Sequence, residues 1–191
     1  NKMASSNNSI ITGKLTGSIG KELVFREWKG KTIVAKAPKK RKGEPTPAQA
    51  ETQERFFMAT RYAKAIAANA DPDLAAAYTA ALRPRQNLYS RALEDFMSSP
   101  VVKQVDTRNY NGTAGSTIQI RAIDDFRVTT LRVEIYDASG ALHESGEALQ
   151  NLNGLDWTYT VRLGLSTPTG VRIKAIANDV PGNEGSLETI I

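Results

Sequence analysis

Cysteine is absent from the 191 residues and histidine occurs once, as His143. The first absence excludes a disulfide framework and any thiolate metal site. The second leaves almost no side chain that does chemistry near neutral pH. His143 lies between Leu142 and Glu144 near a hairpin, without a neighbouring serine or cysteine to activate, so it is not a catalytic element. No apolar run approaches the ~20 residues of a membrane span. The opening residues Asn1 to Asn7 lack the apolar core of a signal peptide, and Met3-Ala4-Ser5-Ser6 reads as a natural start. The expected location is the cytoplasm, or an assembled extracellular or virion particle. Gly13, Gly17 and Gly20 precede no Lys-Ser/Thr pair and open no long helix, which excludes a phosphate loop.

What the chain does have is ordinary globular composition, 40% apolar and 24% charged, divided unevenly in charge. Residues 1–103 carry 18 Lys and Arg against 9 Asp and Glu, whereas residues 104–191 carry 7 against 11. The pattern changes at the same place. Before residue 100 it reads as strands followed by helices, and beyond it the apolar period is two.

The strand signals in the first half are Ile10-Ile11, Leu23 to Trp28 and Thr32 to Lys36, with Lys29-Gly30-Lys31 as a tight hairpin turn. Residues 1–9 are polar and expected to stay unstructured unless a partner orders them. A two- or three-stranded sheet is marginal alone, and its edges expose unpaired backbone groups. Lys36 to Pro47 is a basic, proline-containing connector, and Thr46-Pro47 is a cap followed by a first-turn proline. The first helix is expected to reach Ala70 with Phe56, Ala59, Ala63, Ile66, Ala67 and Ala70 inward. Asp71-Pro72 starts a second helix, with Leu74, Ala77, Tyr78 and Ala81 inward. Gln86 to Met97 makes a third, aligning Tyr89, Leu93 and Phe96.

Beyond Pro100, Ile118, Ile120 and Ala122 alternate with polar positions, as do Leu131, Val133 and Ile135. Trp157, Tyr159 and Val161 follow the same rule, and so do Ile173, Ala175 and Ala177. About seven short strands of this kind are the pattern of an immunoglobulin-like sandwich. The fold class expected is therefore α+β, an N-terminal β-hairpin plus helical module followed by an all-β immunoglobulin-like sandwich. Its parts are a basic module over 1–99 (hairpin 10–36, linker 37–46, helices 47–98) and a sandwich over 100–191.

Three stretches carry a likeness: Gly17-Ser18-Ile19-Gly20-Lys21 running into Val24-Phe25-Arg26 and Gly30-Lys31-Thr32-Ile33-Val34, then Ala63-Lys64-Ala65 with Asp71-Pro72-Asp73, then Asp124-Asp125-Phe126 with Asn178-Asp179-Val180-Pro181-Gly182-Asn183. By these the chain resembles a group of short bacterial proteins with a GxxGK…VFR…GKTVV hairpin, alanine-rich helices and, in some, an immunoglobulin-like tail. The resemblance covers nearly the whole chain and implies no activity, catalytic residue or ligand. The tail also resembles bacterial immunoglobulin-like modules, which serve as adhesive, spacer or virion-surface units.

Two sets of residues are candidate sites. Phe25, Arg26, Trp28, Lys29, Lys31, Lys36, Lys39, Lys40, Arg41 and Lys42 form a basic surface with aromatics, suited to a partner subunit or to nucleic-acid phosphates. Against the second use, Phe25 and Trp28 fall on opposite faces of their strand, and a charge run is commonly a solvated linker. The acidic set is Asp124, Asp125, Asp179, Asn183 and Glu184, on loops that a sandwich brings to one end, where hard oxygens could hold Ca2+. The preferred reading is that these side chains make turn hydrogen bonds to backbone amides. Glu94-Asp95 and Asp124-Asp125 are expected on solvated positions rather than across a cleft.

The chain thus reads as a non-enzymatic structural protein without a cofactor. It is expected to self-assemble into a filament, virion or tail-like particle, or other homo-oligomer through its first module. The alternative is a nucleic-acid-binding protein that uses the basic hairpin and linker.

Overall fold

In the computed structural model the described residues are 4–6, 15–28, 30–38, 43–165 and 169–191. The chain divides into two compact units, residues 1–46 and 47–191. The class is α+β and mostly β, with three helices and three antiparallel sheets among the described residues.

The first unit is a sheet of β1 (Ala4–Ser6), β2 (Gly17–Ile19), β3 (Leu23–Trp28) and β4 (Lys31–Lys36) in the order β1-β4-β3-β2. It has more strands than the expected hairpin. Ala4 pairs with Val34 and Ser6 with Thr32, so part of the N-terminal stretch expected to be unstructured is a strand. An Ala-Ser-Ser strand has no apolar alternation to announce it. The expected strand at Ile10-Ile11 lies outside the described residues. Gly20 and Lys21 both take positive φ (61° and 56°), and Glu22 N–H donates to the Ile19 carbonyl at 3.1 Å. These are the marks of a hairpin turn that follows the right-handed strand twist. Register places Phe25 opposite Val34 and Arg26 opposite Ile33. The sheet's buried side chains among the described residues are Phe25 and Thr32 alone.

The second unit begins with α1 (Pro47–Ala67), α2 (Pro72–Ala80) and α3 (Leu88–Met97). Asp71 caps α2 by accepting from Leu74 N–H at 3.0 Å, with Pro72 in the first turn. Asn87 and Ser90 form a reciprocal capping box at the start of α3. Their core joins Ala63, Ile66, Ala75, Tyr78 and Ala92. Alanine at three of these five positions lets the helices approach closely. Three expectations fail here. Phe56, Ala67 and Ala70 are exposed rather than inward, with Phe57 exposed beside the first, and α1 stops short of Ala70. Asp95 is fully buried rather than solvated, as is its neighbour one turn back, Arg91.

Eight strands follow among the described residues: β5 (Val101–Asp106), β6 (Thr117–Ile123), β7 (Val128–Tyr136), β8 (Leu142–Glu147), β9 (Leu149–Gln150), β10 (Asp156–Thr160), β11 (Arg172–Asp179) and β12 (Glu184–Ile190). They form two antiparallel sheets, β5-β6-β10-β9 and β12-β11-β7-β8. The alternating residues do what the period requires. Ile118, Ile120, Ala122, Trp157 and Tyr159 from one sheet meet Leu131, Val133, Ile135, Ile173, Ala175 and Ala177 from the other in one core. The chain crosses between sheets at buried Ala148, whose N–H donates to the Leu131 carbonyl at 2.8 Å; the next residue, Leu149, already pairs with Thr158 in the opposite sheet.

The helices belong with these sheets, so the units part after Thr46 rather than near residue 100. The reason lies in the loop between β6 and β7. Phe126 stacks on Tyr78 with ring centroids 4.4 Å apart, and Asp125 is ion-paired to Arg91 on α3. A helix covered on both sides has no fully exposed residue, and α3 is such a helix.

Candidate functional site

On the first unit, the pairing register sorts the candidate partner-binding residues. Val24, Arg26 and Trp28 share one face of the sheet with Lys31, Ile33 and Ala35, and Phe25 points to the other with Lys36 opposite Leu23. Phe25 is buried, whereas Trp28 keeps 59% of its surface exposed. Arg26, Glu27, Trp28 and Ile33 line a shallow groove of about 310 Å3. Thus Arg26, Trp28 and Lys31 come together, and Phe25 and Lys36 are separated from them. Lys29, Lys39, Lys40, Arg41 and Lys42 lie outside the described residues. On the face that carries Phe25, Ile19 and Leu23 pair with each other and are exposed, and Leu15, before β2, is exposed as well.

The acidic set is occupied by structural work. Asp125 pairs with Arg91 and, at 2.5 Å, with Arg83. Burial raises its carboxyl, but the two guanidinium groups outweigh that and hold it below the usual carboxylate range. Asp124 accepts from Phe126 and Arg127 backbone N–H groups, each at 3.1 Å, in the turn geometry expected. Asp179 accepts the Asn183 backbone N–H at 2.6 Å and its side-chain amide at 2.7 Å. The same amide donates to the Phe96 and Ser98 carbonyls at the end of α3, at 3.1 and 2.8 Å. Asn183 is therefore a helix C-terminal cap delivered from another element. Glu184 is exposed at the start of β12. Among the described residues, no three histidines or carboxylates are grouped as a metal would require.

Beside this set is a network that the sequence did not announce. Tyr62 and Tyr78 hydroxyls are 2.8 Å apart, and Tyr78 donates to Asp95 Oδ2 at 2.5 Å. Burial, then the Asp95 contact, pushes the Tyr78 hydroxyl far above its ordinary range, so it remains a donor. The signal in sequence was faint: Arg91 and Asp95 stand at i and i+4 on a helix whose apolar positions are otherwise mixed with polar ones.

His143 lines a cleft of about 430 Å3 with Leu142, Glu144, Ser145, Arg162 and Leu163. Glu144 is committed within it: it accepts from the Tyr159 hydroxyl at 2.6 Å and from Arg162 and Leu163 backbone N–H at 2.8 and 2.9 Å. Burial raises the Glu144 carboxyl, and these three donors more than offset it, leaving it below the usual range. A carboxylate so fully engaged cannot orient the imidazole or take a proton from Ser145.

No family model matches the chain, and no curated protein does. A solved crystal structure of an engineered protein is similar over 47% of this chain and 18% of its own length, at 18% identity and a TM-score of 0.31. A likeness of that size carries no argument about function.

Proposed function

We propose that the chain is a non-enzymatic building block: the first unit assembles with further copies into a filament, particle or other homo-oligomer, and the two-sheet body is displayed. The observation that carries this reading is the bareness of the first sheet. Phe25 and Thr32 are buried, while Leu15, Ile19, Leu23 and Trp28 stand 39–59% exposed. Chains this short rarely bury enough apolar surface to hold a sheet alone. A second copy laid on the exposed side chains, or a strand added at β1 or β2, supplies what is missing. Head-to-tail contacts are favoured by the basic first half and acidic second half, and a heterologous contact of that kind builds rings or filaments. In this reading the displayed body is immunoglobulin-like. The order β5-β6-β10-β9 against β8-β7-β11-β12 supports it, being the arrangement of a Greek-key sandwich with one added edge strand. No cofactor is needed.

Light scattering of the intact protein across salt, followed by negative-stain microscopy, tests it. Oligomers that weaken when Leu23 or Trp28 becomes serine are the expected result. A strict monomer at high concentration and low salt overturns it.

One observation favours a second reading, single-stranded nucleic-acid binding: Arg26 and Lys31 share a sheet face with exposed Trp28. Bases stack on such an aromatic while cations track the phosphates. Quenching of Trp28 fluorescence by an oligonucleotide, with a steep salt dependence that Arg26→Gln and Lys31→Gln flatten, is what this reading requires.

A further inference from the structure

Asp95 is 0% exposed, yet it receives a single hydrogen bond, from Tyr78 to Oδ2. Its Oδ1 is buried without a partner, and so is Asp124 Oδ1. Every packed element presents its groups to this carboxyl: Tyr62 from α1, Tyr78 from α2, Asp124 from the β6–β7 loop and Asp179 from β11. Arg91, one turn back on α3, is the cation in reach, and it is already engaged with Asp125. A buried carboxylate with one donor, near two further carboxylates, lacks solvation and has a counter-charge only in an arginine shared with Asp125. A proton on Oδ1 removes the charge and supplies the donor that this collection of acceptors lacks.

We propose that Asp95 is a proton-operated latch: as the neutral acid it seats the three helices on the two sheets, and as the carboxylate it loosens them. The proton comes from solvent and returns to it, forming and breaking the Oδ1–H bond; nothing else changes covalently. In support, burial, with Asp124 and Asp179 adding to it, raises the Asp95 carboxyl to about 6 against the opposing Tyr78 and Arg91 contacts. The unfolded chain lacks this burial, so the folded state holds the proton more tightly. The stabilisation is complete below the unfolded value, 3.8, and is lost as pH rises through about 6. The inference is independent of the assembly reading, because every group in it lies within residues 47–191.

The test uses the full chain. Carboxyl carbon chemical shifts of Asp95 followed from pH 3 to 8 are expected to titrate at least one unit above an ordinary aspartate; a midpoint at or below 4 overturns the proposal. Urea midpoints are expected to fall between pH 5 and 8 in the wild type and to stay level in Asp95→Asn. Parallel profiles overturn it. Amide exchange, corrected for intrinsic rates, locates the effect: α3 is expected to open about tenfold more readily at pH 8 than at pH 5 relative to β11. Equal changes in both elements would reduce Asp95 to a contributor to global stability, and the latch would be wrong. Should Asp95→Asn fail to fold, the wild-type titration and exchange decide alone. Tyr78→Phe, which keeps the ring on Phe126 and removes the donor, is expected to move the Asp95 midpoint upward.

Discussion

The two units hold themselves together by different means. In the first, a four-stranded sheet exists largely through backbone pairing, with Phe25 and Thr32 as its buried side chains among the described residues. In the second, two sheets bury sixteen core residues between them among the described residues, and three helices are pinned on by Arg91–Asp125, Tyr78–Phe126 and Asn183. Side-chain substitutions should therefore cost the second unit its stability and leave the first almost indifferent, unless other copies are present to feel them.

The sharpest way to break this contrast is Arg91→Ala. It leaves Asp125 with Arg83 alone, removes one of the two guanidinium groups over Phe126, 5.5 Å from the ring centre, and opens the space of a fully buried side chain between α3 and the β6–β7 loop. A loss of about 3–5 kcal/mol in urea unfolding is expected. Ile173→Ala, in the fully buried centre of β11, should follow at about 2–4 kcal/mol. Gly185→Ala tests the margin where β12 meets the start of β5: a Cβ there would stand 1.8 Å from the Pro100 carbonyl oxygen. Backbone cannot yield as a side chain can, so about 1–3 kcal/mol is expected. Asp95→Asn should go the other way, gaining about 2 kcal/mol at pH 8 and almost nothing at pH 4, since the wild-type carboxyl is ionised only at the higher pH. Smallest of all, Leu23→Ser or Trp28→Ser should shift the monomer's stability by less than about 0.5 kcal/mol. Scattering, not unfolding, is where their effect is expected.

The sequence was most legible where one face of an element meets a core and the other meets water. Ile118, Ile120 and Ala122 are such positions, and so are Ile173, Ala175 and Ala177; all are buried as their alternation requires. Asp71-Pro72 marked its helix start for an equally local reason, a side-chain cap and a fixed φ. Legibility failed where an element is covered on both sides or paired by backbone alone. The polar flank of α3, with Arg91 and Asp95, looks solvated in sequence because nothing local reveals that the β6–β7 loop lies over it. Ala4–Ser6 and the two-residue β9 are too short or too polar to show a period. The same covering loop moved the unit boundary from residue 100 to residue 46. Of the candidate sites, the opposite placement of Phe25 and Trp28 followed from the strand period, and the turn bonding of Asp124 and Asp179 from residue type. The engagement of Asp125 by two arginines did not, since those partners lie 34 and 42 positions away.

The crossing at Ala148 has a consequence for how the larger unit comes apart. One strand run serves both sheets, as a spine serves two covers of a book, with Ala148 bonded to one and Leu149 to the other. Neither cover can be stripped away while the other stays whole. Heat should therefore drive a single calorimetric transition whose van't Hoff and measured enthalpies agree, with no half-open sandwich accumulating on the way.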